Sequence, residues 1–308
     1  MIVVEQRGID LIVEARGAAG QVAMMADAPN VRWGPEVLLL SPGIEGGFRI
    51  EIRPGGRSVP PGRYTLRSEE LAATEEGEPS AAALAATSRA GQLPYGTAGE
   101  RQQALSAYQK ALAAWRSSGE RRWEAEALNA VAALEEMSGE LRAAAEDYSR
   151  SQALWHDLSE PHREAASLRS LGVIRLGSAD LEAARQALER SLALWRSLGE
   201  RFEEAGAQSD LCLVEHTGGA LPAALACYEE VRTLYRDLGD GSQEARMLNN
   251  VGGVYGLLGE PDAALERYQQ ALALRRALRD RKGEAQTLNN IAEIHRALGE
   301  WQEALRGY

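Results

Sequence analysis

The chain has almost no lysine, cysteine or phenylalanine, and no long apolar run. Its two cysteines, Cys212 and Cys227, are too few for the disulfide framework of a small secreted domain. Lys110 and Lys282 are the only lysines; every other cation is arginine, which fits a GC-rich coding bias and carries no functional reading. Acidic side chains outnumber basic ones by 45 to 34, a net charge of −11 over 308 residues. That balance disfavours contact with DNA or RNA phosphates, which needs clustered cations. It favours basic peptides or basic protein faces as partners. The longest apolar runs, such as Val37 to Leu40, are far short of a membrane span. The opening MIVVEQRG lacks the build of a signal peptide. No membrane partner is expected, and a reducing, cytoplasmic setting is the default. His156, His162, His216 and His295 show no metal-ligand spacing, and the glycine-rich segments punctuate turns without forming a phosphate loop. No metal, cofactor or catalytic group is expected.

Residues 1–70 read as β. Ile9, Leu11, Val13 and Ala15 alternate with Asp10, Ile12, Glu14 and Arg16; Phe48, Ile50 and Ile52 alternate with Arg49, Glu51 and Arg53; Tyr64 and Leu66 alternate with Arg63, Thr65 and Arg67. Period two with one polar face fits antiparallel strands covering one core. Gly17–Gly20, Pro29–Asn30, Pro42–Gly43, Gly46–Gly47, Pro54–Gly56 and Pro60–Gly62 supply the turns. The pattern predicts strands over 2–6, 9–16, 21–26, 36–41, 47–53 and 62–68, a small antiparallel β-sandwich. Its phrases GGFRIEIR and PPGRYTLR resemble the last two strands of bacterial pre-peptidase C-terminal sandwich domains. That resemblance implies a missing first strand and an open sheet edge, because Met1 lies almost inside a strand.

Residues 71–80 read as an acidic linker, Ala81–Ala90 as a short helix and Gly91–Gly99 as a loop. From there one unit of 40 residues recurs. Glu124, Glu164, Glu204, Glu244 and Glu284 keep the period, and so do Ala144, Ala184, Ala224, Ala264 and Ala304. A fixed period of this length marks a solenoid whose units bury their apolar faces against neighbours. Leu248, Val251, Gly252 and Tyr255 share one helical face; Gly259 ends that helix, as Gly139, Gly219 and Gly299 do elsewhere; Pro222 and Pro261 sit in the first turn of the next. Ala264, Tyr268 and Ala271 mark the second helix's contact face. The fold class is α+β by domain: the β-sandwich, then an all-α solenoid over 81–308 of about five and a half units, the first imperfect and the last truncated after Trp301. An uncovered last helix implies fraying or end-on self-association through that truncated unit.

This unit resembles the tetratricopeptide repeat, with Leu/Val-Gly-x-x-Tyr, then glycine, then Ala-x-x-x-Tyr-x-x-Ala. The long period resembles the variant of kinesin light chains and Pins-type spindle-orientation scaffolds, whose first helices read Leu-Asn-Asn-hydrophobic-small, like Leu248–Gly252 and Leu288–Ala292. The layout also resembles the front of bacterial CHAT (caspase-like) peptidases that carry such repeats. Those start with a segment like VVEQRGID at Val3–Asp10. Their catalytic His and Cys have no counterpart here.

In the resembled repeat families the first-helix face turned from its partner lines a concave groove. Here that stripe holds Asn129, Arg169 and Ser209, then Arg246, Asn249, Asn250 and Gly253, then Gln286, Asn289, Asn290 and Glu293. Glu126, Ala133, Ala166, Val173, Gly206 and Leu213 complete the earlier copies. An Asn amide offers an acceptor and two donors, enough to pair with both backbone groups of an extended peptide. Two readings stand: a peptide site in the last two full units, or asparagines that merely solvate the face. The expected function is a protein-interaction scaffold; the alternative is the regulatory, non-catalytic part of a CHAT-type peptidase. Trp115, Trp155, Trp195, Tyr235 and Arg275 recur on the same period and are expected to pack between units. Cys212 and His216 stand four apart, yet Cys212 holds the small interior position of Gly172 and Gly252. It is expected as a buried thiol, with no disulfide to Cys227.

Overall fold

The computed structural model describes residues 2–7, 11–16, 21–27, 33–38, 49–54, 63–68 and 79–307. Most of the expected linker and of the strand-connecting turns, with Ile9, Asp10 and Phe48, lies outside them. The chain divides into two compact units, Met1–Ala179 and Asp180–Tyr308.

In the first unit a strand overlaps each of the six expected, β1 (Ile2–Arg7), β2 (Leu11–Arg16), β3 (Val22–Ala26), β4 (Trp33–Leu38), β5 (Arg49–Pro54) and β6 (Arg63–Ser68), with β4 starting three residues before the expected 36. They form two three-stranded antiparallel sheets, ordered β4-β1-β6 and β3-β2-β5. Val4 stands opposite Glu36 on one side and Leu66 on the other. The first strand is therefore central in its sheet. Val4, Leu11, Val13, Ala15, Ala26 and Leu38 form one buried cluster drawn from both sheets. The opposite face of β2 carries Glu14, only 4 % exposed. Arg53 Nη2 donates to its carboxylate at 2.9 Å, and Arg16 pairs with it as well. The Arg53 hydrogen bond outweighs burial and holds Glu14 below its ordinary value. β6 departs from expectation: Tyr64 is 52 % and Leu66 46 % exposed. It borders its sheet, and the buried cluster is filled without it.

The helices of this unit are α1 (Pro79–Gly91), α2 (Ala98–Ser118), α3 (Arg121–Met137), α4 (Leu141–Asp157) and α5 (Pro161–Gly177). Thr97 and Glu100 form a capping box that starts α2. Asp27 N donates to Gly91 O at 3.0 Å, tying the end of β3 to the end of α1. The second unit holds α6 (Leu181–Leu198), α7 (Arg201–Thr217), α8 (Leu221–Asp237), α9 (Gly241–Leu258), α10 (Pro261–Ala277), α11 (Arg281–Ala297) and α12 (Trp301–Gly307). First helices (α3, α5, α7, α9, α11) alternate with second helices, with the phase read from the sequence. Among the described residues no helix is long and apolar enough to cross a membrane.

Three devices recur at fixed positions. The helix ends turn through left-handed residues: seven are glycines, and the same register is held by Ser159 (φ 56°), Ala179 (φ 61°) and Arg279 (φ 56°). An arginine, or His156 in one copy, near the end of a second helix clasps a glutamate in the next helix's first turn. Arg116–Glu124 lies at 2.7 Å, His156–Glu164 at 3.1 Å, Arg196–Glu204 at 2.9 Å and Arg276–Glu284 at 2.7 Å. Such solvent-accessible pairs, each with one half-exposed or exposed partner, contribute about 1 kcal/mol or less, so they set register more than stability. The third device is interior. Trp115, Trp155, Trp195, Tyr235 and Arg275 are all at most 5 % exposed, and the ladder is packing. Trp115 stacks on Trp123 at 5.3 Å, whereas Trp155 lies under the Arg163 guanidinium at 5.0 Å.

One expectation is overturned. Cys212 on α7 and Cys227 on α8 are joined by a disulfide, with Cα atoms 5.4 Å apart. The position that holds Gly252 in the next repeat is where first and second helices touch. A Cβ on Gly252 would stand 2.8 Å from the Tyr268 ring. Cys212 thus meets the facing helix directly, and Cys227 comes within bridging range.

Candidate functional site

The predicted stripe residues fall on the first helices. In the first unit Asn129 on α3 is half-buried, and its amide oxygen accepts from Ser167 Oγ of α5 at 3.0 Å. Arg169 is half-buried on α5. Beneath this contact Glu126 and Arg163 form an ion pair with both side chains under 10 % exposed. In the second unit Ser209 on α7 is buried, and its hydroxyl accepts from Arg246 Nη2 of α9 at 3.3 Å. Asn249 is 8 % exposed. Its amide oxygen accepts from Asn290 Nδ2 at 3.0 Å and Thr287 Oγ1 at 3.4 Å, both on α11.

Asn129, Ser209 and Asn249 occupy one register position, and at each the side chain is engaged by the following first helix. Their acceptors serve to staple repeats. Asn250, Gly253, Asn290 and Glu293 are half-buried, while Gln286 and Asn289 are exposed. Glu293 accepts from Arg296 Nε at 2.8 Å. Gly253 has no side chain, and only the Tyr268 hydroxyl would come within 3.6 Å of a Cβ there. Of the stripe residues on α9 and α11, Asn250, Gln286 and Asn289 therefore keep amides that no other side chain engages, with Gly253 one helical turn after Asn250. Sequence reasoning missed the stapling partners Ser167 and Thr287. Their signal was present: both put a hydroxyl where the other copies have Ala127, Ala207 and Met247.

Titratable groups near these faces are shifted by burial. Arg275 is held below its ordinary value by desolvation; its guanidinium donates to Thr287 Oγ1 at 2.8 Å and to the Gly283 carbonyl. His216 is lowered by burial, with Tyr228 Oη 3.5 Å from its Nδ1. Cys212 carries no thiol to pair with it. Among the described residues no three His, Cys, Asp or Glu side chains are grouped to hold a metal.

Residues 203–277 and 243–308 match the tetratricopeptide repeat family. Over residues 203–308 the chain carries tetratricopeptide repeats. Solved structures share the fold. BtubC (BKLC) from P. vanneervenii superposes with a TM-score of 0.56 at 20% identity, over 68% of this chain and 88% of that one. A Podosopora anserina putative kinesin light chain with nearly identical TPR-like repeats gives 0.51 at 17% identity, over 64% of this chain and 92% of that one. The Rap conjugation gene regulator of plasmid pLS20, solved with the Phr* peptide, gives 0.55 at 16% identity, over 63% of this chain and 53% of that one. At such identities the likeness is one of fold. No curated protein matches the chain in sequence.

Proposed function

We propose that this chain is a protein-interaction scaffold without catalysis, whose first-helix face takes a peptide or a helix, chiefly on the last two full repeats. The observation that carries the reading is the uneven use of asparagine. Asn249 is spent inside the solenoid, whereas Asn250, Gln286 and Asn289 keep amides at the surface of α9 and α11. Free amides beside a bare glycine suit the backbone of an extended segment. A Rap regulator with this fold was solved holding a peptide, which supports the choice. The proposed layout is a β-sandwich over 1–70, a linker over 71–80 and the solenoid over 81–308.

Peptide display on the intact chain tests it. Selected peptides should lose about 1–3 kcal/mol of affinity, about five- to 150-fold, when Gln286→Ala and Asn289→Ala are combined. Unchanged affinity for every selected peptide refutes the groove reading. A second reading, favoured by VVEQRGID ahead of the repeats, makes residues 1–308 the regulatory part of a CHAT-type peptidase; an in-frame or adjacent peptidase domain in the gene's DNA is its test. End-on self-association is proposed as well, from Leu298 (46 % exposed), Trp301 (64 %) and Leu305 (75 %).

A further inference from the structure

Glu135 lies near the end of α3 and is 6 % exposed. Its Oε2 has neither solvent nor a hydrogen-bond partner. The charges that face it are Asp147 and Glu146 on α4 and Glu140 at the entry to α4, all repulsive; Arg150 on α4 attracts it. Arg150 is already held by Asp147 at 3.0 Å, and Arg142, also on α4, by Glu146 at 3.5 Å. From α2, Arg116 faces Asp147 but is clasped by Glu124 at 2.7 Å. Beside Glu135, half-buried Glu136 lies 3.5 Å from Tyr148 Oη. This acidic group, the Glu135 notch, therefore holds more acid than its own cations satisfy, and Glu135 Oε2 is buried and unpaired.

The repeat itself shows what completes such a notch. Two periods later the same register holds Glu215, on α7. There Arg185, thirty residues earlier on α6, donates to the carboxylate. The residue in Arg185's place before Glu135 is Leu105, buried at 4 % exposure. The carboxylate recurs and its cation does not.

We propose that the Glu135 notch receives the guanidinium of an arginine carried by a partner polypeptide, which does there what Arg185 does for Glu215. A guanidinium suits the place because its planar fork meets a carboxylate with two donors and is less strongly hydrated than an ammonium. Partial burial strengthens the charge-assisted bond. The excess of acid over the whole chain favours the same class of partner.

The test follows the Glu135 carboxyl carbon by NMR across a pH titration of the whole chain, with and without N-acetylarginine methylamide. Alone, burial and then the neighbouring carboxylates place the midpoint at about 7. Saturating N-acetylarginine methylamide should lower it by about one pH unit or more. By linkage, binding should be about tenfold tighter at pH 8 than at pH 5, and Glu135→Gln should abolish this difference. A midpoint that moves no further than in sodium chloride of equal ionic strength overturns the proposal. Equal binding by Glu135→Gln overturns it too. The combined Gln286→Ala and Asn289→Ala variant should bind the probe as the parent does, so failure of the groove reading and failure of this one are told apart.

Discussion

Glu135 also sets a pH dependence of stability. Its ordinary value is 4.5 and burial raises it to about 7. Below the lower value both folded and unfolded chains hold the proton, and Glu135 contributes nothing to the pH dependence. Between the two values the folded state binds more protons than the unfolded one, so stability falls as pH rises. Above the upper value the full penalty of a buried, poorly paired carboxylate is present. At about 1.4 kcal/mol per pH unit, the interval caps that penalty near 3 kcal/mol. Glu135→Gln keeps the shape and removes the charge. It should leave stability at pH 4.5 almost unchanged and raise it by about 2–3 kcal/mol at pH 8. Urea unfolding at both pH values, comparing midpoints followed by circular dichroism, reads the difference. Glu136 and Asp147 are also raised by burial and add slopes of the same sign, but they are present in both proteins and largely cancel. A variant no more stable than the parent at pH 8, or a gain equal at both pH values, would refute the reasoning.

Replacing Ser159, Ala179 or Arg279 by glycine should raise stability by about 0.5–1 kcal/mol each, because each is held at positive φ where a Cβ is strained; an unchanged or lowered Tm would contradict this. Thiol titration of protein purified without reductant should find no free thiol. Reduction should cost about 3 kcal/mol for a bridge closing a 15-residue span, and an unmoved urea midpoint would speak against it. Gly252→Ala should cost about 1–3 kcal/mol, since its Cβ would enter the Tyr268 ring; a fully tolerated alanine would show that the ring can shift. Trp301→Glu should abolish any concentration-dependent rise in mass seen by light scattering, and a rise that survives the variant places the contact elsewhere.

Much of the helical architecture was legible because the period repeats every constraint. Helix starts, helix ends and the buried ladder each occur several times, so chance matches are averaged out. The six strands were legible for a simpler reason: alternation and turn residues are local signals. What escaped depends on pairs of distant residues. The Cys212–Cys227 bridge needs the facing geometry of α7 and α8, and Cys212 by itself looks like any small interior residue. The engagement of Asn249 by Thr287 and Asn290 crosses from one first helix to the next. Exposure of Tyr64 and Leu66 follows from the place of β6 in its sheet, which alternation alone does not reveal.

The repeat separates what is structural from what is available for binding. Where a position keeps its role, the neighbours adjust to whatever side chain fills it. Arg275 takes the ladder place of a tryptophan, and Gly283 stands opposite. A Cβ there would overlap Asp280 Oδ2 and come 2.9 Å from Arg275 Cδ, so the glycine makes room both for the carboxylate that caps α11 and for the side chain that reaches Thr287. At the earlier junctions the same facing position holds Trp123 against Trp115 and Arg163 over Trp155. Two residues change together and the slot stays closed. The Glu135 notch is the opposite case, where one member of a recurring pair is present and its partner is not. Glu135 lacks the arginine that Glu215 has. In a solenoid whose interior is satisfied junction by junction, such half-made pairs are where an outside chain gains most, because it completes a contact geometry the repeat has already built.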